Sequence, residues 1–119
     1  MITSVLVAEK DPIIRLLLAD LIRTYCPKVE EASNGEELAS KATSFDYSII
    51  FVGVSLDKIQ SFEAAEVIRT FNKASQIYIL GFDAPTKNII TAAELLDAKY
   101  VRNIDLPKFL DQQFWQSQM

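Results

Sequence analysis

"YSIIFVGVSL", residues 47–56, is the stretch on which the reading of the fold turns. Apart from Ser48 its first six residues are apolar, and they are rich in β-branched and aromatic side chains, the pattern of a short strand buried on both faces of a parallel sheet. Two other runs share that pattern, "TSVLVA" at 3–8 and "QIYIL" at 76–80. "KVEEA" at 28–32 and "KYVR" at 99–102 are weaker and suit strands nearer the sheet edges.

Helical patterns fill the intervals. Asp11 is placed to cap a first helix whose first turn holds Pro12, because proline lacks an N–H that would be unpaired there. That helix runs to about Tyr25, and Ile14, Leu17, Leu18, Leu21 and Tyr25 recur with the 3.6-residue period that should face the sheet. Ser33 or Asn34 can cap "GEELASKAT", and a third helix spans roughly Ile59 to Phe71. Asp83 with Pro85 opens a fourth to about Leu96, and Asp105 opens a fifth that carries "LPKFLDQQFW". Strand and helix alternate five times without linker or repeat. This predicts one α/β domain over residues 1–119, with a doubly wound parallel sheet of order 2-1-3-4-5 between two helical layers. In such a fold the functional crevice lies beyond the carboxyl ends of the strands, after Ala8, Phe51, Leu80 and Arg102.

Composition excludes several functions. The 12 basic and 16 acidic residues give a net charge of −4, and the basic ones are scattered, which argues against nucleic-acid binding through counterion release. Cys26 is the lone cysteine and histidine is absent, so no zinc cluster and no Cys/His nucleophile pair can be built. Cys26 reads as a structural or surface thiol. The N-terminal sequence lacks a signal-peptide pattern, and no run approaches the roughly 20 apolar residues of a membrane span. The expectation is a cytoplasmic protein with no membrane, metal or cofactor requirement.

With these stretches placed, the chain resembles the receiver domain of two-component response regulators, the CheY-like group of flavodoxin-like folds, over nearly its whole length. "VLVAEKDP" looks like that family's first strand and acidic loop, and "ASNGEELASKA" is similar to its second strand and helix. "FDYSIIFVGVS", "QIYILGF" and "AKYVRNI" look like its third, fourth and fifth strands. The resemblance implies an acid pair for magnesium, an aspartate that accepts a phosphoryl group, a hydroxyl residue and a lysine. Carried across, those positions hold Glu9 and Lys10, Phe51, Gly81, and Asn103 followed by Ile104. Phe51 has no oxygen to accept phosphate, and its ring is expected to join the core. Lys10 either opposes a metal ion or points to solvent. Asp57 is weighed as a displaced acceptor against a plain loop or capping role. "VSLDKIQSFEAAEVIR" lacks the Pro and Gly that usually follow the third strand and carries two extra residues, which changes the loop beside the crevice.

A surface is then the expected working part, and the resemblance directs attention to the fourth helix, fifth strand and fifth helix. On the fifth helix Leu106, Phe109, Leu110 and Phe114 form the inward stripe, leaving Trp115 outside. On the fourth, Ile89, Ile90, Ala93 and Leu96 point inward and leave Leu95 outside. Tyr100 matches an aromatic position that receivers use in switching and should lie between these helices. The resulting expectation is a non-enzymatic pseudo-receiver in a two-component or phosphorelay pathway. It would act through protein partners, or as a homodimer through this surface, without phosphorylation. One alternative is a flavodoxin-like binder of a flavin or another small molecule or anion, although "AEKDP" is not a Ser/Thr/Gly-rich phosphate loop. The other is the N-terminal regulatory part of a longer regulator, although the ending "FWQSQM" shows no linker.

Overall fold

A computed structural model describes residues 4–54, 61–71 and 74–118, with side chains as far as Phe114. Five strands, β1 (Val5–Ala8), β2 (Val29–Ala32), β3 (Ile49–Gly53), β4 (Gln76–Gly81) and β5 (Ala98–Arg102), form one parallel sheet of order β2-β1-β3-β4-β5. The helices between them are α1 (Pro12–Arg23), α2 (Gly35–Ser44), α3 (Ser61–Phe71) and α4 (Lys87–Leu95). A short 3-10 turn, Asn103–Asp105, precedes α5 (Leu106–Gln118). The architecture is the one the apolar runs predict, and the third run forms the central strand. The register places Val7 and Tyr78 on either side of Phe51.

Alternation along the strands divides the interior into two cores. Leu6, Ile50, Val52, Ile77 and Ile79 pack with Leu38, Ala64, Ile68 and Ala93 beneath α2, α3 and α4. Val5, Val7, Ile49, Phe51 and Tyr78 pack with Leu18, Ile22, Leu106, Leu110 and Phe114 beneath α1 and α5. Cys26 is a buried thiol of this second core, with Sγ 3.6 Å from the Lys28 carbonyl. Asp11 caps α1 as expected, accepting from the Ile13 and Ile14 N–H groups at 2.9 and 3.1 Å. Asn34 caps α2, accepting from the Glu37 N–H at 2.8 Å.

The structure corrects three local expectations. Leu17 is 64% exposed, and Ile22 takes its place in the core. Eight of the twelve residues of α1 are apolar, so its periodicity fits more than one stripe, and packing selects Ile14, Leu18 and Ile22. Ile90 is 41% exposed, one position off the Ile89, Ala93 and Leu96 row. Helix α4 is capped by Thr86, which accepts from the Ile89 N–H at 3.2 Å, rather than by Asp83.

The turn from α4 into β5 is held by one side chain. Arg69 on α3 donates to three carbonyls, those of Leu96 (2.8 Å), Ser75 (2.6 Å) and Asp97 (2.9 Å). Asp97 is in the left-handed region with φ of 52°, where a Cβ is strained.

Candidate functional site

The crevice expected beyond the strand ends is present. A cavity of about 260 Å³ opens there, lined by Glu9, Lys10, Gly81 and Asn103 among others. It brings together four of the five positions singled out from sequence. The fifth, Phe51, lies below it.

Phe51 is completely buried. Its ring stacks against Tyr78 with centroids 5.7 Å apart and meets Phe109 edge-on at 6.3 Å, while Tyr78 and Phe109 are 4.6 Å apart. Each ring comes from a different element, β3, β4 and α5, so the trio fastens the middle of the sheet to α5. Such aromatic pairs contribute roughly 0.5–1.5 kcal/mol each beyond area burial. The side chain therefore works as core, as its residue type implies.

Glu9 is turned into the crevice. Its carboxyl occupies the space beside Gly53, where a Cβ on Gly53 would overlap Glu9 Oε2. Burial pushes the Glu9 carboxyl above its ordinary pKa, against the opposing pull of the Asp11 backbone N–H and the Lys10 and Arg15 charges. Lys10 itself is exposed at the cavity rim. Arg15 donates to the Glu9 carbonyl at 2.9 Å and pairs with Glu31 at 3.4 Å.

Gly81 faces a second large neighbour. A Cβ there would overlap the Tyr100 hydroxyl and lie 2.8 Å from Tyr100 Cζ. Tyr100 is half-buried over Gly81 and donates to the Asp83 carbonyl at 2.7 Å. Burial, and then the nearby Asp83 charge, hold its phenol above the ordinary pKa. Asn103 closes the cavity from the β5 side, and its Oδ1 is buried with no hydrogen-bond partner among the described residues. Among those residues no group of three His, Cys, Asp or Glu side chains could hold a metal ion. No described helix is long and apolar enough to cross a membrane.

Of the expected surface residues, Leu95 is 82% exposed, beside a depression lined by Arg69, Leu96 and Asp97. Tyr100 lines a different groove, with Arg102, Lys108 and Phe109. Trp115 lies in α5, but its side chain is outside the described residues, as are residues 55–60, Asp57 among them. Sequence reasoning missed a third surface. Ile13, Leu16 and Leu17 stand 69%, 51% and 64% exposed along one face of α1. The signal was available, since a helix apolar on more than one stripe must leave one uncovered by its own sheet.

The strand order and the crevice at the strand ends place the molecule among doubly wound, flavodoxin-like α/β proteins. Within that class the chain belongs to the response regulator receiver domain family, whose model matches residues 5–103. No curated protein matches it in sequence. Among solved structures it is similar to the N-terminal domain of an uncharacterized protein from Wolinella succinogenes, with TM-score 0.84 and 17% identity over 99% of this chain and 94% of that one. It is also similar to the chemotaxis protein CheY4 of Vibrio cholerae, with TM-score 0.83 and 18% identity over 98% of both chains. A third likeness is to the Saccharomyces cerevisiae receiver domain of Ssk1, solved with the histidine phosphotransfer protein Ypd1. There the TM-score is 0.81, with 20% identity over 98% of this chain and 92% of that one.

Proposed function

We propose that this chain is a pseudo-receiver: a single signalling domain that has lost phosphoryl-acceptor chemistry and acts by binding protein partners. One observation carries the reading. In β3, at the position where the family keeps a carboxylate that attacks phosphorus, Phe51 is locked against Tyr78 and Phe109. A covalent phosphoryl intermediate needs an oxygen nucleophile, and a phenyl ring has none. The changes around it agree, because Gly81 supplies no hydroxyl and Asn103 supplies no ammonium to neutralise a transferred charge.

The remaining function rests on surfaces. The yeast receiver in the comparison is solved with a phosphotransfer protein, which supports reading this chain as one that binds a protein partner in a cytoplasmic two-component or phosphorelay pathway. Two surfaces are candidates. One is the exposed α1 face of Ile13, Leu16 and Leu17; the other comprises α4, β5 and α5 with Leu95, Tyr100 and Trp115, which could also serve a homodimer. The test is incubation with acetyl phosphate and magnesium followed by intact-protein mass spectrometry. An unmodified mass is expected. A stable phosphoryl adduct, on Asp57 or elsewhere, would overturn the reading.

A further inference from the structure

The two edges of the sheet are finished differently. The outer strand β2 turns Val29 and Glu31 away from β1, because Val5 donates to the Lys28 carbonyl and Glu9 to that of Ala32. Both outward carbonyls are taken by cations: Arg23 Nη2 donates to Val29 at 3.3 Å, and Lys41 Nζ donates to Glu31 at 2.7 Å. Side chains of the domain thus blunt that edge.

At the other edge the ladder decides which groups of β5 face outward. Gln76 donates to the Ser48 carbonyl and Leu80 accepts from Val54, so residues 76, 78 and 80 bond to β3 while 77, 79 and 81 bond to β5. Ile79 lies opposite Tyr100 and therefore bonds to Lys99 and Val101. The N–H groups of Tyr100 and Arg102 and the carbonyls of Ala98 and Tyr100 then point away from the sheet. Among the described residues no hydrogen bond reaches them. A groove lined by Tyr100 and Arg102, together with Pro85 and Phe109, opens at this edge.

Charge selects the occupant. Lys99, Arg102 and Lys108 are exposed here, and none has an ion-pair partner among the described residues; the ion pairs present gather at Arg15, Arg23 and Lys41 on the β2 side. Asp105 is the acid on the groove wall. A second copy pairing edge to edge would bring Lys99 and Arg102 of both strands onto one ribbon, where like charges repel. A simple anion or a nucleic-acid backbone offers acceptors for the N–H groups and leaves the outward carbonyls unmet. An extended acidic peptide supplies alternating N–H and C=O groups as well as carboxylates, and its apolar side chains can lie on Tyr100, Pro85 and Phe109.

We infer that the free edge of β5 is a docking strip for an extended acidic segment of a protein partner, which joins the sheet as an added strand. The inference rests on the reading of the chain as a protein-binding domain and narrows its surface of α4, β5 and α5 to one strip. From Ala98 to Arg102 the strip is about 13 Å long at about 3.3 Å per residue, which holds about five peptide residues.

The test titrates the isotope-labelled chain with a peptide of about seven residues alternating glutamate and valine, and in parallel with its lysine and valine counterpart. The acidic peptide should shift the amides of Lys99 to Arg102 saturably by NMR. At saturation, hydrogen exchange at the Tyr100 amide should slow about tenfold or more, while Val101, already bonded within the sheet, should change little. The lysine peptide should bind about tenfold more weakly or not at all. Arg102→Ala removes one charge and should weaken binding about threefold. Arg102→Pro also removes the outward N–H and should weaken it about fivefold further; residue 102 already has a φ of −73°, which suits proline, and its N–H lies outside the ladder. Equal binding of the two peptides, unchanged exchange at Tyr100 under saturating peptide, or no binding at millimolar concentration would overturn the inference. Protection of Tyr100 that grows with protein concentration in the absence of peptide would assign the edge to a second copy and overturn it as well. None of these outcomes bears on whether acetyl phosphate modifies the chain, so failure here is distinguishable from failure of the pseudo-receiver reading.

Discussion

Gly81→Thr should destabilise the domain through Tyr100. In the native packing Tyr100 covers Gly81, and a Cβ there would overlap the phenol oxygen and approach Cζ to 2.8 Å and Cε2 to 3.1 Å. The β4 backbone cannot retreat, because it is paired to β3 and β5 on either side. The ring must therefore leave. It gives up the hydrogen bond to the Asp83 carbonyl, worth about 0.5–1.5 kcal/mol net. It also gives up about half of the roughly 1.5–3 kcal/mol that full burial of a large side chain contributes. Against this, replacing glycine restricts the unfolded chain and stabilises by about 0.4–1 kcal/mol. The balance is a loss of about 1–2 kcal/mol.

Urea denaturation of four proteins, wild type, Gly81→Thr, Tyr100→Ala and the double variant, separates this cause from a general strand effect. With Tyr100 truncated the threonine has nothing to displace, so Gly81→Thr should be neutral or stabilising in that background. The coupling energy should be about 1–2 kcal/mol, well above the few tenths expected of independent sites. Additive losses would sink this account, because they would place the cost of the introduced threonine in the strand and not in the ring.

Three further outcomes follow from named contacts. Arg69→Ala leaves the carbonyls of Ser75, Leu96 and Asp97 without their shared donor and should cost about 2–4 kcal/mol in urea denaturation. Arg69→Lys should recover little of it, because the three N–H groups of an ammonium radiate from one nitrogen and cannot span carbonyls that Arg69 meets with Nε, Nη1 and Nη2 separately; a loss under about 1 kcal/mol for the alanine variant would refute the clamp. Asp97→Gly relieves a φ of 52° and should stabilise by a few tenths to about 1 kcal/mol in the same assay, and a measured loss would contradict the strain. All four tyrosines titrate above the ordinary value of 10.0: Tyr25 through its hydrogen bond to Asp111, and Tyr47, Tyr78 and Tyr100 first through burial. Because the folded pKa values are raised, the fold favours the neutral phenols. That stability is intact below pH 10 and is lost as pH rises toward the folded values. Tyrosinate absorbance should therefore appear together with loss of circular dichroism in alkaline titration, and a tyrosinate signal well before unfolding would contradict it.

The fold was legible because each strand and helix declares itself locally. The buried runs of β1, β3 and β4 have no other reading at their length, and Asp11 and Asn34 cap the helices their positions announce. Rotation about a helix axis was less legible. In α1 the sequence offers several overlapping apolar stripes, and only contact with β1, β2 and α5 decides that Ile22 goes in and Leu17 stays out. Helix α4 is short, so a displacement of one residue moves Ile90 to the surface. At the crevice the residue types could be read, but their neighbours could not. Phe51 announces a residue without an oxygen, yet its stacking on Tyr78 and Phe109 joins residues from three separate elements. Likewise, nothing local shows that Asn103 Oδ1 is left without a partner among the described residues.

Substitutions at the crevice are intelligible as pairs. The chain has three glycines, and two of them, Gly53 and Gly81, sit at the ends of adjacent central strands. Each is overlaid by a larger side chain from elsewhere, Glu9 over Gly53 and Tyr100 over Gly81. On the pseudo-receiver reading, introducing a single family residue would therefore be expected to restore no chemistry. A threonine at position 81 meets Tyr100, and an aspartate at position 51 exchanges a stacked ring for a carboxylate beneath the cavity, where burial opposes its charge. On the pseudo-receiver reading, the barrier to acceptor function is packing as much as residue identity, because Phe51 lies stacked with Tyr78 and Phe109 and the end of β4 is covered by Tyr100.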